Sequence, residues 1–571
     1  MTLFFSWKGS IVSAGLLVLL LLASSVSLAQ APMWQSVVVI SQNSTYSTLP
    51  KLAADVSGNI YVAGTFTGTV VFGTTALTSA GNSDVFVAKW NPLTARFIWA
   101  QRAGGTGDDV CTGIAASGAS VYLTGHFTAA AIGFGGITLP NAGSRDGFVA
   151  KLTDAGSSSA FAWAQQVGGV GFDQVSAVAA TSAGIYVTGE FEGSVGFGTA
   201  VLTSRGLGDG FVAKLDDAGS TATFAWAQPA GGYGSDGASA LTVSGTSVYV
   251  AGYFSGTSTC GSTVAGLGLN SAGSYDVFVA KLVDAGSSSS FTWATSGGGF
   301  SEDMPYSVVA NGASVYVAGA YRGGPARFGN TILPSANSYD AFVAKLTDTG
   351  SASTGFVWAW SGGDSYGQDE AVALATNGTS VFMAGTFGGT MTFGSTTLST
   401  GGSGVRSVFL CKLADAGTTS RFDWAQSATA PGVGELLLLG GKIYVAGSFY
   451  NTAAFGNANV TAPTNAPAAY LASLTDATLT ATAPALAGAA FTVAPNPAHG
   501  TATVQLPALP GTASATLTLL DAVGRVVRST TWLLPPTGLR HELSMAGLAP
   551  GLYALQVRAG KATATRKVVV E

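Results

Sequence analysis

The sequence has little charge for its length. Charged residues make up 9% of the 571 residues and the net charge is −5, whereas roughly a quarter of a typical soluble domain is charged. Hydrophobic residues reach 47%, so the chain lacks the combination of low hydrophobicity and high net charge that marks disorder. The part before residue 475 is mildly acidic and has no basic stripe, so we expect no nucleic-acid binding.

Cysteine and histidine are also scarce, with three of each. The odd number of cysteines excludes complete internal pairing. Cys111, Cys260 and Cys411 stand where other copies of a repeat carry small or apolar residues, which predicts buried free thiols. A catalytic triad or a histidine zinc site in the repeats would depend on His126 alone. The sequence therefore predicts that the protein is not an enzyme.

Long apolar runs are missing except near the N-terminus. There an apolar stretch of about 13 residues follows Lys8, which is short of the roughly 20 that a spanning helix needs. Small residues follow this stretch, and together these features predict a secretory signal peptide over residues 1–29, cleaved between Ala29 and Gln30. Cleavage after Ala31 is less favourable because a proline follows, and a membrane anchor is the alternative interpretation. We expect no transmembrane segment in the mature chain.

The chain is rich in internal repeats. Three motifs each occur seven times, which indicates a repeat architecture. The first, DxFVAKL, begins at Asp84, Asp146, Asp209, Asp276 and Asp340 and weakens in the copies that begin at Ser407 and Ala468. The second, YVxGxF, begins at Tyr61, Tyr122, Tyr186, Tyr249, Tyr316, Phe382 and Tyr444. The third is a tryptophan, at Trp34, Trp99, Trp163, Trp226, Trp293, Trp358 and Trp424.

Each repeat contains four short β-like runs joined by turn residues, which is typical of one propeller blade. Seven copies predict a seven-bladed β-propeller over residues 30–474. The mature chain begins with a Trp-type strand and the last copy lacks one, so we expect the N-terminal strand to close the last blade. A β-solenoid is the competing repeat fold, but its coils are shorter and lack the hairpin pattern.

The motif order also supports a family resemblance. DxFVAKL, a Trp strand, a GGxGxD loop and a GxxYVxGxF run follow one another throughout residues 34–474. This arrangement resembles the bacterial seven-bladed β-propeller repeat family. The resemblance implies the propeller fold and little about activity, because one fold supports many functions.

The C-terminal part differs in composition. Residues 475–490 are rich in Ala and Thr and are predicted to be a linker. Alternating strands over residues 491–571 predict a small Ig-like β-sandwich. Its motifs are Pro495-Asn496-Pro497, LLDAVGRVV ending at Val527, LAPGLYALQV from Leu548 and the terminal KVVVE.

These motifs resemble the type A sorting domain of the type IX secretion system. The resemblance implies a Bacteroidetes-type source, export across the outer membrane by the type IX machinery, and removal of residues 491–571 outside the cell. The mature protein would then be secreted or held on the outer cell surface. The alternative interpretation is a plain Ig-like accessory module.

Acidic residues recur at two places in the repeat, and in a four-stranded blade both lie on the same face. One set begins the third strand of five repeats, and the other precedes the first strand after a Gly-rich loop. The second set is Asp109, Asp173, Asp236, Asp303 and Asp369. Aspartates at such positions typically cap turns. Calcium binding is the sharper hypothesis for the second set, whereas near-identical copies argue against a glycosidase carboxylate pair.

Two further features bear on function. A lysine recurs in the third strand and is predicted to pair with an acidic group of the neighbouring blade. The connection between the second and third strands is long in every repeat, as in residues 67–83 and 255–275, and long loops on a rigid scaffold often bind ligands. The sequence thus predicts an exported, non-catalytic binding or adhesion module for a surface glycan or protein, with no cofactor other than calcium. An extracellular hydrolase or lyase and a purely structural envelope protein are the alternatives.

Overall fold

The computed structural model describes residues 31–40, 42–46, 49–261, 267–350, 354–364, 367–402, 404–463, 466–480, 491–506, 514–521, 526–533, 535, 539–559 and 562–571. The predicted signal peptide, its cleavage site between Ala29 and Gln30, and residues 481–490 of the predicted linker lie outside the described residues. The chain divides after Thr475 into two compact units. Within the described residues, no helix has both the length and the apolar character needed to cross a bilayer.

The main strands of the N-terminal unit form seven antiparallel groups of four, one per repeat, which we call sheets 1 to 7. Sheets 3 and 4 are joined into one larger sheet by pairing of Ala230–Gly232 with Ser258–Cys260. Sheet 1 contains Lys51–Ala54, Ile60–Phe72, Asp84–Asn91 and Arg96–Ala103. Sheet 2 contains Asp109–Ser117, Ser120–Phe127, Asp146–Asp154 and Ser159–Val167. Sheet 3 contains Gln174–Thr181, Gly184–Phe191, Asp209–Asp217 and Ala222–Gly232. Sheet 4 contains Gly237–Ser244, Ser247–Cys260, Leu267–Asp284 and Ser289–Gly297. Sheet 5 contains Asp303–Asn311, Ser314–Gly323, Ala336–Thr347 and Phe356–Gly362. Sheet 6 contains Glu370–Asn377, Ser380–Gly388, Arg406–Asp415 and Ser420–Ala428. Sheet 7 contains Gly432–Leu439, Lys442–Phe449, Ala468–Thr475 and, from the N-terminus, Trp34–Val39.

The sequence explains why these sheets are buried on both faces. Seven consecutive residues from Asp146 to Leu152 are buried, as in a strand that is covered on both sides. Valine, tyrosine and phenylalanine dominate the second and third strands and suit such a pleated, packed surface. The short turns between first and second strands use glycine in the left-handed region, for example Gly118 with φ of 60°.

The seven sheets form a closed circle of neighbours. The first strand of each sheet contacts the first strand of the next, and that of sheet 7 contacts that of sheet 1. Sheet 7 is completed by Trp34–Val39, which pairs antiparallel with Ala468–Thr475. This is the position that the sequence predicted for the N-terminal strand. The all-β prediction is confirmed.

The long connections between second and third strands differ from the loops that we expected. Most of them fold into β-hairpins, such as Ala131–Phe134 with Ile137–Pro140. The hairpin of sheet 2 contacts the fourth strands of sheets 1 and 2. Its buried Phe134 packs with Phe148 and Phe161 at ring distances of 5.1 and 5.4 Å. These connections therefore fill the space between neighbouring sheets, and less of their length is free for ligand binding than the sequence suggested.

The same element recurs around the circle. The other separate hairpins are Ser194–Phe197 with Ala200–Thr203, Ala326–Phe328 with Thr331–Leu333, Thr390–Phe393 with Thr396–Ser399, and Thr452–Phe455 with Ala458–Thr461. In sheet 1 the second strand continues into a hairpin with Thr75–Thr78, and Gln42–Tyr46 pairs with the same strand. In sheet 4 the long second and third strands pair with each other to make the equivalent hairpin.

The C-terminal unit contains two antiparallel sheets that share one hydrophobic core. It begins with the short helix Ala477–Thr480. One sheet contains Thr492–Ala494, Thr501–Leu506 and Leu539–Ser544, and the other contains Ser514–Leu520, Val526–Leu533, Gly551–Ala559 and Ala562–Val570. Alternate residues such as Val504, Leu517 and Leu555 point into the core, which is the period expected of half-buried strands.

Candidate functional site

Both acidic sets lie at one edge of the sheets, which we call the acidic edge. Asp109 at the start of a first strand and Asp146 at the start of a third strand are both paired with Phe127 at the end of the second strand between them. In sheet 5, Asp303 and Asp340 are likewise both paired with Tyr321. The structure thus brings together the residues that the sequence placed on one face.

The first-strand aspartates of the acidic edge bind backbone N–H groups of the preceding Gly-rich loop. The Oδ2 atom of Asp109 accepts the N–H of Gly105 at 2.5 Å, and that of Asp173 accepts the N–H of Gly169 at 2.7 Å. Asp236, Asp303 and Asp369 do the same with Gly232, Gly299 and Asp364. The turn-capping role is confirmed for this set, and calcium binding stays a prediction.

Burial raises the pKa of these carboxyl groups. Four of them, Asp109, Asp236, Asp303 and Asp369, reach a pKa of about 7, and Asp173 reaches about 6. A second carboxylate nearby adds to the increase. The second carboxylate belongs to the third-strand aspartate of the preceding sheet, in the pairs Asp84–Asp109, Asp146–Asp173, Asp209–Asp236, Asp276–Asp303 and Asp340–Asp369. Among the described residues, no group of three or more His, Cys, Asp or Glu side chains is arranged so that it could hold a metal ion.

At the opposite edge, a single carboxylate joins each of sheets 2 to 6 to the sheet before it. The Oδ2 atom of Asp154 in sheet 2 accepts the hydroxyl of Tyr61 at 2.6 Å and the ammonium of Lys89 at 2.5 Å. Its Oδ1 atom accepts the indole N–H of Trp99 at 3.0 Å. We call this arrangement a latch. The lysine pairing predicted from the sequence is confirmed for five of the six lysines, while Lys412 lies 3.8 Å from Asp423 of its own sheet. The latch links all three recurring motifs.

Five latches are described. Their carboxylates are Asp154, Asp217, Asp284, Asp348 and Asp415, each held by a tyrosine, a lysine and a tryptophan of the preceding sheet. Burial alone would raise the pKa of Asp348, but hydrogen bonds from Lys281, Tyr249 and the N–H of Gly350 lower it to about 2. A network in which the buried polar groups have hydrogen-bond partners fixes the position of one sheet relative to the next.

The latches predict a loss of stability in acid. A carboxylate whose pKa is lowered on folding stabilises the fold above its unfolded pKa near 3.8, and the contribution disappears as pH falls toward about 2. We expect the melting temperature to fall steeply between pH 4 and pH 2. Circular dichroism melts would measure it, and Asp348→Asn should flatten part of this decline. An unchanged slope in that variant would contradict the assignment.

Sequence reasoning missed a set of polar residues at the acidic edge that differ from repeat to repeat. The hydroxyl of Tyr253 donates to Glu190 at 3.1 Å. Farther around, Arg406 forms an ion pair with Glu370 at 3.0 Å. The signal was present in the repeats, because the variable position of YVxGxF holds Thr65, His126, Glu190, Tyr253, Ala320, Thr386 and Ser448.

His126 is half-buried near the acidic edge, where it pairs with Val110. Burial, with the charge of Arg145, lowers the pKa of its imidazole to about 4, so the ring is neutral at pH 7. Its Nδ1 atom has no hydrogen-bond partner among the described residues.

The three cysteines are buried free thiols, as predicted, and burial raises the pKa of Cys111 and of Cys260 to about 12. A thiol with so high a pKa is a poor nucleophile.

A cavity of about 440 Å³ opens at the acidic edge of sheet 6. Its polar wall is made by Asp364, Gln368, Thr390 and Arg406, and glycines such as Gly389 form much of the rest. The carboxylate of Asp364 accepts the backbone N–H of Thr390 at 3.0 Å, which fixes one side of the cavity. The cavity thus combines fixed hydrogen-bonding groups with exposed backbone.

In the C-terminal unit, the Pro-Asn-Pro motif is tied to the last strand. The amide of Asn496 donates to the carbonyl of Lys567 at 2.8 Å and accepts the N–H of Val569 at 2.8 Å. This explains why that motif and the terminal KVVVE occur together. The family of secretion system C-terminal sorting domains matches residues 492–571. These residues are a type IX secretion sorting domain. The sorting domain indicates a secreted or outer-surface protein and implies engagement with the type IX machinery.

The other comparisons do not assign the chain to a family. No curated protein sequence matches the chain. Two solved structures assigned as 6-phosphogluconolactonases overlap at a TM-score of 0.37. The Bacteroides uniformis protein has 10% identity, with 72% of this chain and 98% of that chain covered. The Bacteroides fragilis protein has 9% identity, with 71% and 96% covered. A Trypanosoma rangeli sialidase has a TM-score of 0.34 and 10% identity, with 92% and 84% covered.

Proposed function

We propose that this chain is an exported seven-bladed β-propeller that binds a glycan outside the cell without catalysing a reaction. The closed circle of seven four-stranded sheets supports the propeller, since each first strand contacts the next. The N-terminal strand on sheet 7 supports it as well, because such closure removes exposed sheet edges. The type IX sorting domain supports binding outside the cell.

The cavity in sheet 6 carries the binding proposal. Its volume of about 440 Å³ lies in the range of roughly 300–1,000 Å³ that small-molecule sites occupy. Arg406 and Gln368 offer hydrogen-bond donors, and Asp364 offers acceptors. A sugar hydroxyl both donates and accepts, so a mixed set of this kind suits it. The glycine walls let a flat ring approach the backbone closely.

The test is a glycan array probed with the mature full-length chain, followed by calorimetry on the best ligand. We expect Arg406→Gln to weaken binding about tenfold, which corresponds to ~1.4 kcal/mol. The matched control is Arg322→Gln, which removes the ion pair with Glu302 at 2.7 Å but lies outside the cavity lining.

Two results would contradict the proposal. Equal binding by the Arg406→Gln and Arg322→Gln variants would place the ligand elsewhere. Shortened glycan products during incubation would indicate a hydrolase or lyase instead. If no glycan is retained at all, the structural envelope role becomes the better account.

A further inference from the structure

Five third-strand aspartates at the acidic edge, the last of them Asp340, each have a buried Oδ1 atom without a hydrogen-bond donor among the described residues. Asp84, Asp146, Asp209 and Asp276 are exposed by at most 3%. The Oδ2 atoms are satisfied, as in Asp276, which accepts the N–H of Ala272 at 2.7 Å. A buried charged oxygen without a partner is costly, so a ligand or a proton must compensate it.

In two of the pairs, the distances place the third-strand carboxylate next to the first-strand carboxylate of the following sheet. A β-carbon built on Gly298 would lie 2.7 Å from Oδ1 of Asp276 and 2.6 Å from Oδ2 of Asp303. A β-carbon on Gly363 would lie 2.4 Å from Oδ1 of Asp340 and 2.7 Å from Oδ2 of Asp369. In each of these two pairs, an oxygen of both carboxylates therefore lies beside the same glycine, where any side chain would clash with both.

One pair of the five is neutralised by the protein itself. In sheet 1 the guanidinium of Arg102 contacts Oδ2 of Asp84. At the same strand position, the next four sheets carry Gln166, Pro229, Ser296 and Ser361. None of these side chains is charged, and none of the ion pairs of the described residues involves the other four aspartate pairs. Those four pairs thus lack an ion-pair partner among the described residues, although the charge of Arg205 acts on Asp209 at longer range.

The two aspartates also disappear together. The third strand of sheet 6 has Ser407 where the earlier sheets have aspartate, and the first strand of sheet 7 follows Pro431 at the corresponding place. Loop capping alone would let the first-strand aspartate persist without its partner. The joint loss indicates that the pair acts as one unit.

We propose that four aspartate pairs each bind one calcium ion between neighbouring sheets, and that Arg102 takes the place of the cation in the Asp84–Asp109 pair. The four pairs are Asp146–Asp173, Asp209–Asp236, Asp276–Asp303 and Asp340–Asp369. A divalent cation balances the two carboxylates. Calcium takes oxygen ligands in flexible geometry, with carbonyls and water completing the shell, whereas magnesium requires a near-ideal octahedron. Extracellular calcium modules bind with dissociation constants of about 10⁻⁴ to 10⁻³ M, which suits an exported protein.

The test counts bound calcium by equilibrium dialysis of the EDTA-treated full mature chain. We expect four ions per chain, weaker binding of magnesium, and a higher melting temperature in millimolar calcium. Asp276→Asn should lower the count to three. Asp84→Asn is the matched control at the pair that Arg102 already neutralises, and the count should stay at four.

A variant that is expected to gain a calcium ion provides an independent test if Asp276→Asn fails to fold. Arg102→Ser introduces the residue found at position 296 and frees the Asp84–Asp109 pair, so the count should rise to five. No saturable calcium binding, together with equal melting temperatures in calcium and EDTA, would overturn the proposal in favour of a shared proton. A count that neither Asp276→Asn nor Arg102→Ser changes would also overturn it.

Discussion

A chain that ends at Thr480 should fail to reach the cell surface. The truncation removes the whole sorting domain, residues 492–571, through which the type IX machinery engages the protein. In a bacterium that has this secretion system, we expect full-length protein on the surface or in the medium. The truncated chain should be retained in the periplasm, with at least a tenfold loss of the external fraction. Immunoblots of separated periplasmic and external fractions would measure the effect.

A second variant tests whether export depends on the Pro-Asn-Pro motif itself, and not only on the presence of the sorting domain. Asn496→Ala removes both hydrogen bonds between the Pro-Asn-Pro motif and the last strand, to Lys567 and Val569. Its export should fall to an intermediate level. Thr518→Ala on an exposed side-chain pair of the same domain is the control and should be exported normally. Surface accumulation of the chain that ends at Thr480 would contradict the role of the domain.

Asp284→Ala should be the most destabilising single change in the ring of sheets. It leaves the buried ammonium of Lys214, the hydroxyl of Tyr186 and the indole N–H of Trp226 without their acceptor. Removing one partner of a buried ion pair costs about 3–5 kcal/mol. The free energy of unfolding from urea titration would measure the loss.

A second carboxylate near Lys214 provides the control. Asp216 lies 3.9 Å from Lys214, but its side chain is 61% exposed. Exposed ion pairs contribute about 0–1 kcal/mol, so Asp216→Ala should change stability little. Lys214→Met in the Asp284→Ala background should recover part of the loss, because it removes the unpaired charge. Equal destabilisation by the two alanine variants would show that the latch is not the source of the effect.

The sequence predicted the strands well because each repeat carries the same turn residues and apolar runs. Even the displaced strand Trp34–Val39 was predictable, since the last repeat lacked a tryptophan strand. The hairpins in the long connections were not predicted. Strands of four residues such as Ser194–Phe197 are too short to show a period, and their Gly- and Thr-rich turns are typical of loops.

The candidate site was predictable in part. The register of a single sheet places Asp109 and Asp146 at one edge, and the sequence pattern is enough to infer that. It does not show that a third-strand aspartate meets the first-strand aspartate of the next sheet, because that depends on packing between sheets. The cavity beside Arg406 was missed because it is formed by the features in which sheet 6 departs from the repeat.

The position of the N-terminal strand also sets an order of events during synthesis. Trp34 pairs with Leu474, so the seventh sheet cannot form until nearly the whole N-terminal unit has been synthesised. Contacts between such distant residues form slowly, because a very long loop must be closed first. Synthesis therefore leaves the seventh sheet incomplete until Ala468–Thr475 has been made, and the sorting domain follows that strand in the sequence. Completion of the N-terminal unit and appearance of the sorting domain are thus close in time, because the two lie next to each other in the sequence.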